Sequence, residues 1–381
     1  MKIAVPKERR PLETRAAASP DTVKKFIALG AEVVVETGAG EGAFIPDDAF
    51  SSVGATIAPD YQATVGDADI VLKVRRPMTV AEGGPDELGA LKKGAILVGV
   101  LLPLKNLDDV KFYAEAGITV FTMDLMPRIT RAQSMDVLSS QSNLAGYKAV
   151  IDGAAAYNGA FPMMMTAAGT VAPARVFVLG AGVAGLQAIA TARRMGAIVS
   201  AVDVRPVTRE QVESLGANFV ALPEFATESS ETAGGYAREM SEDFKRRQAV
   251  LVHETLKKQD LAICTALIPG RPAPTLITEE MVRDMKPGSV IVDMAVEAGG
   301  NCTCSKMGET VDVNGVRILG PINLPGRIAA DTTPLYAKNL LNFFEPLIDA
   351  ETGELDIDWE DEIVTDTLIT RDGVVVHPDF K

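Results

Sequence analysis

Short, continuous apolar runs recur along the 381-residue chain. KIAVP (2–6), EVVVE (32–36), DIVLKV (69–74), AILVGV (95–100) and ITVFTM (118–123) are rich in Val and Ile. They lack the polar alternation of a half-exposed strand and predict parallel strands buried on both faces. Helical segments are predicted between them. Ser19-Pro20 offers an N-cap followed by proline at the first helical position, and Gly30 follows the last periodic residue, Leu29. NLDDVKFYAEAG (106–117) also ends at a glycine. Strand alternating with helix predicts a doubly wound sheet with right-handed crossovers.

A second series follows a helical segment at about 140–158: ARVFVLG (174–180), AIVSAVD (197–203), NFVAL (218–222), LAICTAL (261–267), SVIVDMA (289–295) and VRILG (316–320). The pattern predicts an α/β protein of two Rossmann-like domains, each a doubly wound parallel sheet, with a cleft between them. One domain is expected over 1–135 plus 330–381, the other over 136–329. The helix PLYAKNLLNFFEPL (334–347) would return the chain to the first domain, and the RDG turn at 371–373 predicts a hairpin in the acidic tail. The most apolar region, 154–192, holds Arg175, Gln187 and several glycines, so it reads as a buried strand–turn–helix rather than a membrane span.

Composition narrows the function. Hydrophobic residues make up 47% and charged residues 23%, enough for a real core, and the net charge of −14 opposes binding to nucleic acid or anionic membrane. Cys302 and Cys304 in NCTCS have no second Cys or His cluster nearby, so reduced thiols and no metal are expected. MKIAVPKERRPLE has charges where a signal peptide needs an apolar stretch, and a membrane role would come through a partner.

VLGAGVAGLQAIATARRMGAIVSAVDVR (178–205) is the strongest local signal. Gly180, Gly182 and Gly185 form G-x-G-x-x-G between a strand and a helix. The first permits the tight turn, the second lets backbone approach a pyrophosphate, and the third lets helix pack on strand. The helix N-terminus offers amides and a positive dipole end to the phosphates. Asp203 ends the next strand, where a carboxylate accepts ribose hydroxyls and repels a 2′-phosphate, favouring NAD over NADP; Arg205 nearby weakens that preference. Leu267 is a candidate wall of the same site or a core leucine. The polar segment 224–248 carries Gly234-Gly235-Tyr236, a hinge with a tyrosine able to close over a ligand.

Oxidising an alcohol or amine needs a positioned base, yet neither His253, in helix-like VLVHETLKK, nor His377, near the C-terminus, follows a strand end. Hydride transfer between two nicotinamides moves no proton at the reacting carbons. It needs two rings held face to face with water excluded. RITRAQSMDVLSSQSN (128–143) is rich in hydrogen-bonding groups and holds no histidine, lysine or cysteine. We read it as a positioning loop at the mouth of the cleft; an interdomain linker is the alternative.

Nearly the whole chain resembles the family that joins alanine dehydrogenases to the NAD(H)-binding component of proton-translocating nicotinamide nucleotide transhydrogenases. VPKERRPLETRAAASPDTV (5–23), VLKVRRP (71–77), the glycine motif, TALIPGRPAP (265–274) and MKPGSVIVDMAVEAGGN (285–301) fall in family order. Within it, the catalytic histidine of alanine dehydrogenases is matched by Leu102 and their catalytic aspartate by Glu297, while Arg15 and Lys73 match retained substrate-site residues. RITRAQSMD instead is similar to the transhydrogenase loop named for its Arg, Gln and Asp, here Arg128, Gln133 and Asp136. The resemblance implies that Ser139 reaches the nicotinamide carboxamide, that Gln133 reaches towards a second nucleotide, and that Tyr236 folds over bound NAD(H). It implies further nucleotide contacts from Ile129, Leu138, Ala181, Val183, Val204, Arg205, Gly235, Gln248 and Leu267. It also implies hydride exchange between NAD(H) here and NADP(H) on a partner domain, coupled to proton translocation by membrane-spanning subunits. The chain would be a homodimer, cytoplasmic and peripheral on the inner membrane through those partners. An NAD-dependent alanine dehydrogenase is the alternative.

Overall fold

The computed structural model describes residues 1–222, 241–268, 270–349 and 351–381. They form two units, Met1–Gln141 with Pro325–Lys381, and Ser142–Leu324.

Among the described residues the first unit holds an eight-stranded sheet. Its spatial order is Val374–Val375, Leu368–Arg371, Thr119–Thr122, Ile96–Val100, Ile70–Arg75, Lys2–Val5, Glu32–Glu36, Thr56–Ala58. The six strands from Thr119–Thr122 to Thr56–Ala58 pair in parallel, and the C-terminal hairpin adds antiparallel at one edge. The absence of polar alternation has a direct cause. Ile3, Val5, Leu72, Val98 and Phe121 enter one core, whereas Ala4, Val71, Leu97 and Val120 enter another on the opposite face. Successive side chains point to opposite faces of a strand, so a sheet covered on both sides needs every position apolar. The helix Ala329–Phe344 closes the first of these cores. Phe121 meets the Phe343 ring edge-on at 5.4 Å and stacks on Trp359 at 6.4 Å.

The second unit holds a seven-stranded sheet ordered Asn218–Phe219, Ile198–Val202, Arg175–Leu179, Leu261–Cys264, Val290–Asp293, Val316–Leu319, Thr310–Val313. All pairs are parallel except the last. Here too alternate residues divide between two cores, Val176 and Val178 against Phe177 and Leu179. The architecture is thus α/β with parallel-dominated, Rossmann-like sheets.

The region 154–192 departs from expectation at its centre. Met164–Thr166 and Gly169–Val171 pair as an antiparallel two-stranded hairpin whose residues are exposed rather than buried. Sequence patterning reports apolarity but not whether a covering surface exists. No helix among the described residues is long and apolar enough to cross a membrane.

Candidate functional site

In the second unit the strand Arg175–Leu179 runs into Gly180, whose φ of +101° is a left-handed conformation that favours glycine. Thr265 Oγ1 donates to the Gly180 carbonyl at 2.9 Å and holds the turn. A Cβ on Gly185 would lie 1.9 Å from that same carbonyl oxygen, so helix and strand approach this closely only without a side chain. A Cβ on Gly182 would meet nothing nearer than Arg205 Nη2, at 3.9 Å. The middle glycine therefore faces open space, the approach a pyrophosphate needs.

Gly182 caps the helix Val183–Arg194 without a side-chain hydrogen bond. First-turn amides have no carbonyl partner within a helix, and the positive end of the dipole lies there. Ala181 is buried beneath the turn and Val183 is exposed beside it. These features fit the phosphates of a dinucleotide.

Asp203 is nearly buried and heavily engaged. Its carboxylate accepts the Ala181 amide at 2.7 Å and, from Arg205, the amide at 2.9 Å, Nε at 3.0 Å and Nη2 at 2.8 Å. A carboxylate has about four lone-pair sites. Ribose hydroxyls can therefore bond to Asp203 only if the Arg205 guanidinium gives way. Val204, between them, is half-buried. Leu267 lies beyond its expected strand, which ends at Cys264 because Thr265 turns to bond the glycine turn. At 51% exposure it is not a core leucine. Gln248 sits half-buried on the helix Glu242–Leu256. Gly235 and Tyr236 lie outside the described residues.

In the first unit, residues 128–143 are ordered by an internal pattern. Thr130–Met135 is a 3-10 helix, and Val137 opens the helix Val137–Ala156. Ala132 and Met135 are buried, while Arg128 and Gln133 are exposed. Ile129 packs against the core and Leu138 is exposed. Asp136 accepts the Ser139 amide at 2.9 Å, the geometry of a helix N-cap, and also accepts the Ser139 hydroxyl. With that proton committed to Asp136, the Ser139 oxygen remains as an acceptor, suited to an amide N–H. Among the described residues no hydrogen bond engages the Gln133 amide.

Sequence reasoning missed two supports of this loop. Asn339 and Asn342 both donate to the Ser134 carbonyl, at 2.8 and 2.9 Å. The available signal was two asparagines three residues apart in an otherwise apolar helix.

Arg15 and Lys73 are both occupied by internal carboxylates. Arg15 forms a bidentate pair with Glu13 (2.8 and 2.6 Å) and donates to Gln141 Oε1 at 2.8 Å. Lys73, 1% exposed, meets Glu87 at 2.8 Å and Glu8 at 3.6 Å. Burial raises the Glu8 carboxyl above its ordinary range, against the opposing pull of Lys73. Burial pushes Glu13 the same way, but the Arg15 hydrogen bonds and charge prevail and hold it low. Leu102 has a φ of +52°, and Asp124 bonds its amide at 3.2 Å. Glu297 accepts the Asn323 amide at 3.0 Å. His253 pairs with Asp284 at 2.9 Å on a helix.

Two family models match the chain: "Alanine dehydrogenase/PNT, N-terminal domain" over residues 4–145 and "Alanine dehydrogenase/PNT, C-terminal domain" over 149–378. The chain is 60% identical over 378 residues to the first of the separate pieces of NAD(P) transhydrogenase subunit alpha in Rhodospirillum rubrum, covering 99% of this chain and 98% of the relative. It is 32% identical to an alanine dehydrogenase of Halomonas elongata over 92% of this chain and 88% of that one. The crystal structure of transhydrogenase from Sinorhizobium meliloti superposes with a TM-score of 0.89 at 50% identity, covering 99% of this chain and all of that one (100%).

Proposed function

Because the chain belongs to the alanine dehydrogenase/PNT family of nicotinamide nucleotide oxidoreductases, we propose that it is the NAD(H)-binding subunit of a proton-translocating NAD(P) transhydrogenase. Gly180, Ala181, Gly182, Val183 and Gly185 would hold the pyrophosphate, with Asp203, Val204 and Arg205 at the adenosine ribose. Arg128, Ile129, Gln133, Asp136, Leu138 and Ser139 would surround the nicotinamide, and Gly235, Tyr236, Gln248 and Leu267 would complete the site. When bound, the reduced nicotinamide supplies the hydride that NADP⁺ on a partner domain receives. This chain's residues bind, orient and exclude water; none needs to take a proton.

The observation that carries the reading is the chemistry of the 128–139 loop. It offers the Ser139 oxygen as an acceptor and the Gln133 amide as donor and acceptor, and it contains no histidine, lysine or cysteine. The alternative, an alanine dehydrogenase acting alone, needs a general base and a free cation for the substrate carboxylate. Leu102 stands where that base is expected, and Arg15 and Lys73 are already paired internally. Proton coupling and attachment to the cytoplasmic face of the membrane would reside in partner subunits.

Two assays test this. The protein with NADH, NADP⁺ and an NADP(H)-binding transhydrogenase domain is expected to exchange hydride, and without that domain it is expected to be inactive. Turnover of NADH with pyruvate and ammonium by the protein alone would replace this reading with the alternative.

We further propose that the active form is a homodimer joined through the hairpin at 164–171. Met163, Met164, Met165 and Val171 are 60%, 44%, 80% and 40% exposed. An isolated two-stranded hairpin is marginal in water and gains most from a second copy. Met164→Glu with Met165→Glu is expected to convert the dimer to monomer in sedimentation experiments. A variant still dimeric at the same concentration assigns the interface elsewhere.

A further inference from the structure

We propose that the C-terminal segment of the first unit is the positioning element of the 128–139 loop, with Asn339 and Asn342 as its positioning residues. This rests on the transhydrogenase reading of the loop. Three observations converge. First, the two asparagines lie one turn apart on Ala329–Phe344, and their Nδ2 groups donate to one acceptor, the Ser134 carbonyl, at 2.8 and 2.9 Å. Residues three apart on a helix share a face, which lets both reach a single atom. Second, Asn339 Oδ1 accepts the Ser140 hydroxyl at 2.7 Å, fixing the first turn of Val137–Ala156 as well. Third, Arg131 forms a two-pronged pair with Asp361, at 2.5 and 3.1 Å, and Asp361 also caps the helix Glu362–Thr367.

The anchored residues bracket the presented one. Gln133 lies between Arg131, tied to Asp361, and Ser134, whose carbonyl is held by two donors. Buried Ala132 and Met135 pin the same turn to the core. A carbonyl with two lone pairs that accepts two amide donors is fully satisfied, so its direction is fixed in two planes. Fixing the Ser134 carbonyl fixes the preceding peptide orientation and so the direction in which Gln133 leaves the backbone. The exposed Arg131–Asp361 pair is worth little on its own, and we assign it the minor share. The asparagine pair carries the positioning because it is uncharged and holds one backbone atom from two sides. This gives the acidic tail and its preceding helix a task in hydride transfer, although neither contributes a group to the nicotinamide.

The test is a graded series at Asn342, the more accessible partner. Asn342→Ala removes one donor. Asn342→Asp keeps the shape but sets an acceptor against an acceptor, so it should be worse than alanine. Misplacement by about 1 Å can cost on the order of 100-fold in a positioned reaction. We expect a roughly 3- to 10-fold slower single-turnover hydride transfer for Asn342→Ala and a larger loss for Asn342→Asp, with NADH affinity unchanged. The Asn342→Asp loss should shrink as pH falls towards the carboxyl's own range, because a protonated carboxyl donates again. Hydrogen exchange at amides 130–136 should accelerate in both variants, which reads the positioning without any partner domain. Unchanged exchange and unchanged transfer would overturn the inference, as would a pH-independent loss matched by a fall in melting temperature. Absence of hydride exchange in the unaltered protein would instead remove the underlying function, while the amide exchange result would still decide the positioning.

Discussion

Replacing Lys73 by methionine is expected to lower the stability of the first unit by about 3–5 kcal/mol. Lys73 lies on the strand Ile70–Arg75, at 1% exposure, with Glu87 and Glu8 as its partners. Glu87 is wholly buried, and its other oxygen accepts the Met78 amide at 2.5 Å. Arg9, its next cation, is 4.0 Å away, too far for a hydrogen bond. Methionine fills the same volume but strands the Glu87 charge, and an uncompensated buried charge is what makes breaking such a pair costly. Glu8 adds less, since burial already favours its neutral form and among the described residues its Oε2 has no hydrogen-bond partner. Denaturant melts should show the loss as a lower midpoint with an unchanged slope. Lys73→Met with Glu87→Gln should recover most of it, because both halves of the pair are then neutral. The recovered double variant also decides what Lys73 is for. If it exchanges hydride with the partner domain at nearly the unaltered rate, the lysine is scaffold. A folded but inactive double variant would return Lys73 to the chemistry and revive the dehydrogenase alternative.

The same residue shows how far sequence reasoning reaches. That Lys73 matches a substrate-site position was legible; that Glu87 and Glu8 already occupy it was not. The ion pair joins residues fourteen apart through a turn whose geometry no local pattern reports. The strands were legible wherever both faces are covered, as in Ile70–Arg75 or Val290–Asp293, because burial on two sides leaves a continuous apolar run. They were illegible where one or both faces meet solvent. Thr310–Val313 pairs antiparallel at a sheet edge with Thr310 and Asp312 exposed, and Thr56–Ala58, at the edge of the other sheet, has only three residues. The hairpin at 164–171 inverted the rule, being apolar and yet uncovered within the chain.

The two halves of the candidate site differ in the same way. The glycine turn is local, and its three glycines have separate physical reasons that follow from spacing alone. Its electrostatics are less local in effect: Asp203 was legible as a carboxylate at a strand end, but its engagement by Arg205 and the Ala181 amide changes what a ribose must displace. The 128–139 loop was legible as a polar stretch of unusual composition. Its shape was not, because the groups that hold it, Asn339, Asn342 and Asp361, lie more than 200 residues further on.

Gln133→Asn is expected to slow hydride transfer by on the order of 100-fold while leaving the NADH dissociation constant nearly unchanged. The substitution preserves the amide and removes one methylene. It therefore changes neither charge nor hydrogen-bonding capacity, only reach, by roughly the 1 Å that positioning arguments concern. Gln133 is exposed and its amide is otherwise unengaged among the described residues, so no internal bond is lost and stability should hold. The pyrophosphate and ribose contacts proposed for the glycine turn are untouched, which is why NADH affinity should survive. Stopped-flow single turnovers with the NADP(H)-binding domain give the rate, and quenching or enhancement of NADH fluorescence gives the affinity. The split between the two measurements carries the meaning. An interaction made only when two rings are brought together lowers the rate constant, whereas one made equally in the resting complex lowers affinity. A large loss of NADH affinity would make Gln133 a ligand of the first nucleotide rather than a reach towards the second. An unchanged rate would show that the polar composition of the loop does not govern the transfer.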